Sequence, residues 1–395
     1  MSRPLPLAGI RVVEFSHMVM GPSCGLILAD LGADVIKVEP MGEGDNTRRL
    51  AGSGAGFFVS MNRNKRSIAL DLKSAKGLAF VKRLIATADV ITENFRPGAL
   101  DALGLGSEAL RALHPRLLYC SLKGFLAGPY ENRTALDEVV QMMGGLAYMT
   151  GAPGKPTRAG ASVNDIMGGM FAVIGILAAL EERHRTGVGQ VIKSGLFENN
   201  IFLMTPHMMQ FAVTGKPAAP MPNRLASWAI YDVFDTADGV QVFIGVVSDG
   251  QWASFCKEFA MPELLADAAL QSNRDRVMAR DRFMPAVRAV FTKLNHADIL
   301  EACERIGLPF APIKRPEDMF DDPHLNHPGS MAAITLADGR KTRIPLLPLA
   351  FDNKRLGLRR DIPRAGEHSV EIAREIGFDQ AEVSALLAAN ILGKS

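Results

Sequence analysis

The chain has 395 residues, 48% hydrophobic and 22% charged, enough to bury a full core without disulfide or metal staples. Lys and Arg number 44 against 42 Asp and Glu, and no window joins basic residues to aromatics, which excludes a nucleic-acid footprint. The slight positive excess suits an anionic small molecule.

Cys24, Cys120, Cys256 and Cys303 form no CxxC pair and read as small buried side chains in a reducing compartment. The amino-terminal MSRPLPLAGIRVVEF lacks a signal peptide's apolar stretch, and no apolar run of about eighteen residues is read as a bilayer span. A cytoplasmic protein without a membrane partner is expected.

A β-branched run at 10–15, an apolar helix from about Pro22 and a strand at 34–38 make a β-α-β opening. A helix over 75–88 and strands at 90–92 and 117–121 extend it, so the fold class is α/β with a large parallel, Rossmann-like sheet covered by helices. From Asp165, DIMGGMFAVIGILAALEERHR reads as a buried helix stopped at Gly187 and Gly189, then a strand near Gln190 and another helix.

The linker-like GKPAAPMPN closes the first domain near Pro222. YDVFDTADGVQVFIGV is a hairpin about Asp238-Gly239, followed by helices from Gly250, Arg276 and Ala297, a pattern for a smaller α+β domain. A second hairpin about Asp338-Gly339 and an amphipathic stretch at 368–389 suit either unit by pattern. The expected division is a large domain at 1–222, completed by 331–395, around a small domain at 223–330.

The first strand, its turn and Glu39 imitate a dinucleotide-binding unit, but SHMVMGPSCG lacks the GxGxxG spacing. No GxxxxGK[ST] occurs, so acyl activation must draw on an existing thioester rather than ATP. Asp321, Asp322, His324 and His327 read as a solvated turn, and no metal site is expected.

The sharpest segment is TRAGASVNDIMGGMF. Small residues surround Asp165 where a long apolar helix begins. Helix dipole and free amides favour its ionised form, and apolar neighbours strip water from it; an N-terminal cap is the alternative reading. Asp137 and Glu138 open another helical pattern, as capping acids or, for Glu138, as a second carboxylate near Asp165.

PLAGIRVVEFSHMVMGP, GADVIKVEPMGEGDNTR, NRNKRSIALDLK, ENFRPGALDALGL, GVGQ and YDVFDTADG resemble, in order and spacing across almost the whole chain, the family III CoA-transferases (CaiB/BaiF). The resemblance implies that Asp165 is the catalytic aspartate and Glu138 the acidic residue beside the acyl intermediate. Coenzyme A contacts then map to Leu70, Asp71, Leu72, Lys73, Asn94, Phe95, Arg96 and Asp137. The resemblance further implies an interlocked homodimer, no permanently bound cofactor, and an acyl-CoA thioester with a small carboxylic acid as substrates.

Val19, Pro40 and Ala102 depart from the pattern of formyl-CoA-transferring members, so oxalate is not expected. GPYENRTALDEVVQMMGGLAYMTG is similar to mesaconyl-CoA transferases and to succinyl-CoA transferases acting on itaconate or related dicarboxylates. A distal carboxylate needs a cation, and Arg158 and Arg224 are the candidates, with surface arginines as the other reading. Oxyanion donors are sought in PNRLASWAIY. Racemases of the same fold pair the aspartate with a Gly-His-Asp histidine, whereas Ala135, Leu136 and Asp137 stand here; racemization and NAD-dependent oxidoreduction are the alternatives to transfer.

Overall fold

A computed structural model describes residues 4–224 and 226–394. The first residues of the expected amino-terminal segment, and Leu225 within the expected oxyanion stretch, lie outside the described residues. The chain divides into two compact units, 1–222 with 323–395, and 223–322.

The large unit opens with β1 (Arg11–Phe15), α1 (Met20–Asp30), β2 (Asp34–Glu39), α2 (Phe57–Met61) and β3 (Arg66–Leu70). It continues through α3 (Ala75–Ile85), β4 (Val90–Glu93), α4 (Ser107–Leu113), β5 (Leu118–Lys123), α5 (Asp137–Met143) and α6 (Leu146–Thr150). Then come α7 (Val163–Thr186), β6 (Val191–Gly195) and α8 (Leu196–Thr214). The small unit holds β7 (Ile230–Asp235), β8 (Gln241–Val246), α9 (Asp249–Glu258), α10 (Pro262–Ala266), α11 (Asn273–Met278), α12 (Arg280–Phe291), α13 (His296–Arg305) and β9 (Phe310–Pro312). The returning chain adds hairpins β10 (Met331–Thr335) with β11 (Lys341–Pro345) and β12 (Ala350–Phe351) with β13 (Lys354–Arg355), then α14 (Ser369–Glu375), α15 (Gln380–Ala388) and β14 (Leu392–Gly393).

The main sheet runs β14-β3-β2-β1-β4-β5-β6, parallel except for β14, which lies antiparallel on β3. The order 3-2-1-4-5-6 is that of a doubly wound sheet, whose crevice opens outside the carboxyl ends of the strands where the winding reverses, here between β1 and β4. One face packs Phe80, Leu84, Leu110, Ile372 and Leu386 against the sheet; the other packs Cys24, Leu28, Ala172, Ile176 and Leu180. The small unit has its own core, with Phe234, Ile244, Trp252, Phe255 and Phe291 between its three-stranded antiparallel sheet and its helices.

Three features differ from the sequence reading. β3 was not anticipated because RSIAL is short and flanked by charges, yet all five of its residues are buried. The stretch at 368–389 is two helices, broken at Gly377 with φ 87°. α7 corrects the expectation of no membrane-length run: its most apolar 18-residue window has mean hydropathy 1.8, enough by length and composition. Its Gly168, Gly169, Ala172 and Ile176 are buried, so this helix serves the core, and Gly187 ends it at φ 76°.

Candidate active site

A cleft of about 600 Å³ lies at the carboxyl ends of β1 to β3 and beside the Phe95 turn after β4. Of the expected coenzyme contacts, Leu70, Asp71, Leu72, Lys73 and Phe95 line it. Asn94 and Arg96 flank Phe95 in the same turn. Lys73 and Arg96 are exposed and enter no ion pair among the described residues, leaving both cations for anionic groups.

The cleft wall at His17 and Met18 is held from several sides. Asn94 accepts from His17 N at 3.0 Å and donates to His17 O at 2.8 Å, while Thr47 Oγ1 accepts from Met18 N at 2.9 Å. The His17 ring stacks on Phe95 with centroids 5.5 Å apart. Lys37 donates to Ser16 O at 2.5 Å and pairs with Asp45 at 2.9 Å and Glu14 at 3.5 Å. Lys65 pairs with the same Glu14 at 2.8 Å and donates to Pro22 O at 3.0 Å in the first turn of α1. The Phe95 turn is clamped likewise: Lys123 donates to Phe95 O at 3.0 Å and pairs with Glu93, which accepts from Phe95 N.

Sequence reasoning missed these clamps. Their signal was a charge inside each apolar strand, Glu14 in RVVEF and Lys37 in DVIKVE, where a solvated side chain is out of place.

Glu39 ends β2 where a dinucleotide enzyme holds ribose hydroxyls. Its oxygens accept instead from Arg48, from Ser67 Oγ at 2.6 Å and from Asp45 N at 2.8 Å. Gly25 also serves the protein: a Cβ there would stand 1.6 Å from Glu14 Oε2, so this glycine lets α1 lie over the buried acid rather than over a pyrophosphate.

Asp165 sits in the first turn of α7 and is half-buried. One turn on, a Cβ at Gly169 would stand 2.0 Å from Ser23 Oγ, so the absence of side chains brings α7 hard against the start of α1, directly after the His17–Met18 wall. The Asp165 carboxyl is pushed up to about 7 by burial first and by the Asp137 charge second, with Arg158 opposing. Such a group is desolvated and about half ionised at neutral pH, so a nucleophilic carboxylate stripped of water is present to attack an acyl carbon.

Four of the expected site residues come together here. Asp137 Oδ1 accepts from Asn164 N at 2.8 Å and Asp165 N at 3.3 Å. Arg158 pairs with Glu138 and lies 3.7 Å from Asp137 Oδ2. Asp137 does not line the cleft, since its buried carboxylate is turned beneath α7. Arg224 belongs to the small unit.

A doubly wound sheet with a cleft at its switch point and a perturbed carboxyl at a helix start is the architecture of an α/β enzyme. Residues 7–369 match CoA-transferase family III, and the chain belongs to that family. It is 35% identical over 387 residues to the succinate–glutarate CoA-transferase of Agrobacterium fabrum, spanning 95% of this chain and 96% of that one. It is 31% identical over 390 residues to the succinyl-CoA:mesaconate CoA-transferase of Haloarcula marismortui, spanning 94% and 97%. The crystal structure of a CAIB/BAIF family protein from Brucella suis matches with TM-score 0.85 and 35% identity over 95% of this chain and 100% of that one. The protein is a CoA-transferase, and a CoA thioester is its substrate.

Proposed function

We propose that this CoA-transferase exchanges CoA between small dicarboxylic acids through a thioester on Asp165. The observation that carries the reading is the desolvated Asp165 carboxylate at the start of α7, one turn before the glycine that packs on the start of α1, directly after the His17–Met18 wall of the cleft. The carboxylate attacks the donor thioester carbon, and collapse of the tetrahedral oxyanion expels CoA thiolate and leaves a mixed anhydride. The thiolate attacks the aspartyl carbonyl, forming aspartyl-CoA and releasing the donor acid. An acceptor carboxylate attacks that thioester, expelling the thiolate again and forming a second anhydride. Attack of the thiolate on the new acyl carbon yields product and restores Asp165.

Coenzyme A is assigned to Leu70, Asp71, Leu72 and Lys73 and to Asn94, Phe95 and Arg96, with the uncommitted Lys73 and Arg96 for its phosphates. Glu138 is assigned beside the acyl intermediate, held by Arg158. Transfer is favoured over racemization because Leu136 precedes Asp137 where a racemase needs a histidine. A homodimer is proposed, supported by the apolar side chains that α7 and α8 leave exposed, including Ile174, Phe202, Phe211 and Val213, which a second copy would cover. Four free, buried cysteines fit a cytoplasmic location.

The nucleophile must be ionised, so kcat/KM for the donor thioester should rise to a plateau through a midpoint near 7, falling about tenfold per pH unit below it. A profile flat between about pH 5 and 8 would remove Asp165 as an ionising nucleophile.

Dicarboxylate use is supported by the acids named for the relatives, succinate with glutarate and succinyl-CoA with mesaconate. Arg158 and Arg224 are the cations offered to the distal carboxylate. Arg158 is already near Glu138 and Asp137 and 35% exposed, so its removal should weaken succinate or itaconate by roughly 2 kcal/mol, the low end for a paired charge, about 30-fold, and butyrate far less. The measurement is kcat/KM for each acid, with succinyl-CoA as donor, in Arg158→Ala and Arg224→Ala. Equal losses on both acid types in each variant would exclude them as charge readers, and a wild-type preference for butyrate would overturn the dicarboxylate assignment.

A further inference from the structure

α7 begins without a cap of its own: Ser162 precedes it, and its side chain makes no capping hydrogen bond. The first-turn amides of Asn164 and Asp165 are instead taken by Asp137 Oδ1, from 28 residues upstream of Asp165. The second oxygen of Asp137 accepts from Gln141 Nε2 at 2.5 Å, and Gln141 Oε1 accepts from Ala159 N at 2.8 Å. One buried carboxylate therefore ties together α5, the segment at 158–159 and the first turn of α7. Asp137 is 6% exposed and Gln141 fully buried, so solvent cannot replace either acceptor.

We infer that Asp137 is a positioning residue for CoA transfer: its carboxylate caps the helix that carries Asp165 and so sets the direction in which that nucleophile points. The inference rests on the assignment of Asp165 as the nucleophile. Capping from a distant segment couples the aim of Asp165 to the segment that carries Arg158, whereas a local serine cap would leave the two independent. The charged groups around Asp137 are Asp165 on α7, Arg158 on the preceding segment and Glu138 on its own helix; α8 contributes neutral Asn200, bonded to Asn164. Charge on Asp137 opposes ionisation of Asp165 and Arg158 favours it.

The test uses the full chain and compares Asp137→Ala and Asp137→Asn with wild type and Asp165→Ala. Asp137→Ala frees the α7 amides, and a shift of the nucleophile by about 1 Å should lower kcat about 100-fold, with KM for succinyl-CoA within about threefold of wild type. Asp137→Asn keeps an oxygen for the amides and removes the charge, so it should retain more activity and move the acid limb of kcat/KM to lower pH. Activity is referred to the folded fraction of each variant, read from its thermal unfolding transition, which removes any loss from misfolding. If both variants raise KM for succinyl-CoA while kcat and the acid limb stay put, Asp137 contacts the coenzyme and the inference is wrong. If neither variant changes any parameter, it is equally wrong. Exchange surviving in Asp165→Ala overturns the nucleophile assignment itself, and this inference with it.

Discussion

Asp165→Ala is expected to lower CoA exchange by at least about 10⁴-fold while the affinity for acyl-CoA changes less than about threefold. The split follows from the layout: the cleft residues stand on β1 to β4 and their loops, whereas Asp165 is supplied by α7. Incubation of wild type with succinyl-CoA and hydroxylamine or borohydride should modify Asp165 and leave no adduct in the variant, as read by peptide mass. Asp165→Asn adds a thermodynamic check. The folded-state pKa of Asp165, about 7, lies above the unfolded value of about 3.9, so stability present below pH 4 is lost as pH rises to about 7. The melting temperature of Asp165→Asn should therefore improve relative to wild type from pH about 4 to about 8. A constant difference across that range would mean that Asp165 ionises as freely folded as unfolded.

The largest stability loss is expected at Glu14, far from any substrate atom. Its carboxylate is fully buried between Lys37 and Lys65, themselves fully buried. Glu14→Gln leaves the Lys65 ammonium with only neutral acceptors, Pro22 O and Asn62 Oδ1. Breaking a buried pair from one side costs about 3–5 kcal/mol, against a total of about 5–15 kcal/mol for a folded domain.

Burial already lowers the Lys65 pKa to about 8, with Glu14 the main opposing influence, so the substitution should lower it further. A lysine whose folded pKa is depressed binds fewer protons folded than unfolded, so stability rises with pH between the folded and unfolded values. The deficit of Glu14→Gln should therefore shrink as pH is raised from the variant's lowered Lys65 value to about 8, where the wild-type lysine also loses its proton, and stay level above that. Urea midpoints of the large unit across that range measure it. A deficit below about 1 kcal/mol at pH 7 would show that the pair adds nothing that solvent or relaxation cannot replace. Surviving enzyme should also bind acyl-CoA more weakly, because Lys37 carries Ser16 O at the edge of the cleft.

Local patterns in the chain were enough to determine the α/β class, most strands and helices of the large unit, both hairpins and the start of α7, because each rests on residues within a few positions of one another. Asp165 stood out for the same reason: an acid at the head of a long apolar helix is a local contrast. Its role and the coenzyme positions were legible only through resemblance, since nothing local distinguishes Lys73 or Arg96 from surface cations.

The tertiary structure decided what depends on distant pairs. It set the strand order that opens the crevice between β1 and β4, and it turned the charges of Glu14, Lys37 and Lys65 inward as a brace for the cleft wall. It also brought Asp137 under α7, which a reading of ALDEVV as an ordinary helix start could not anticipate. A carboxylate's partner is chosen by whichever donors folding leaves without water, and those donors can lie anywhere in the chain.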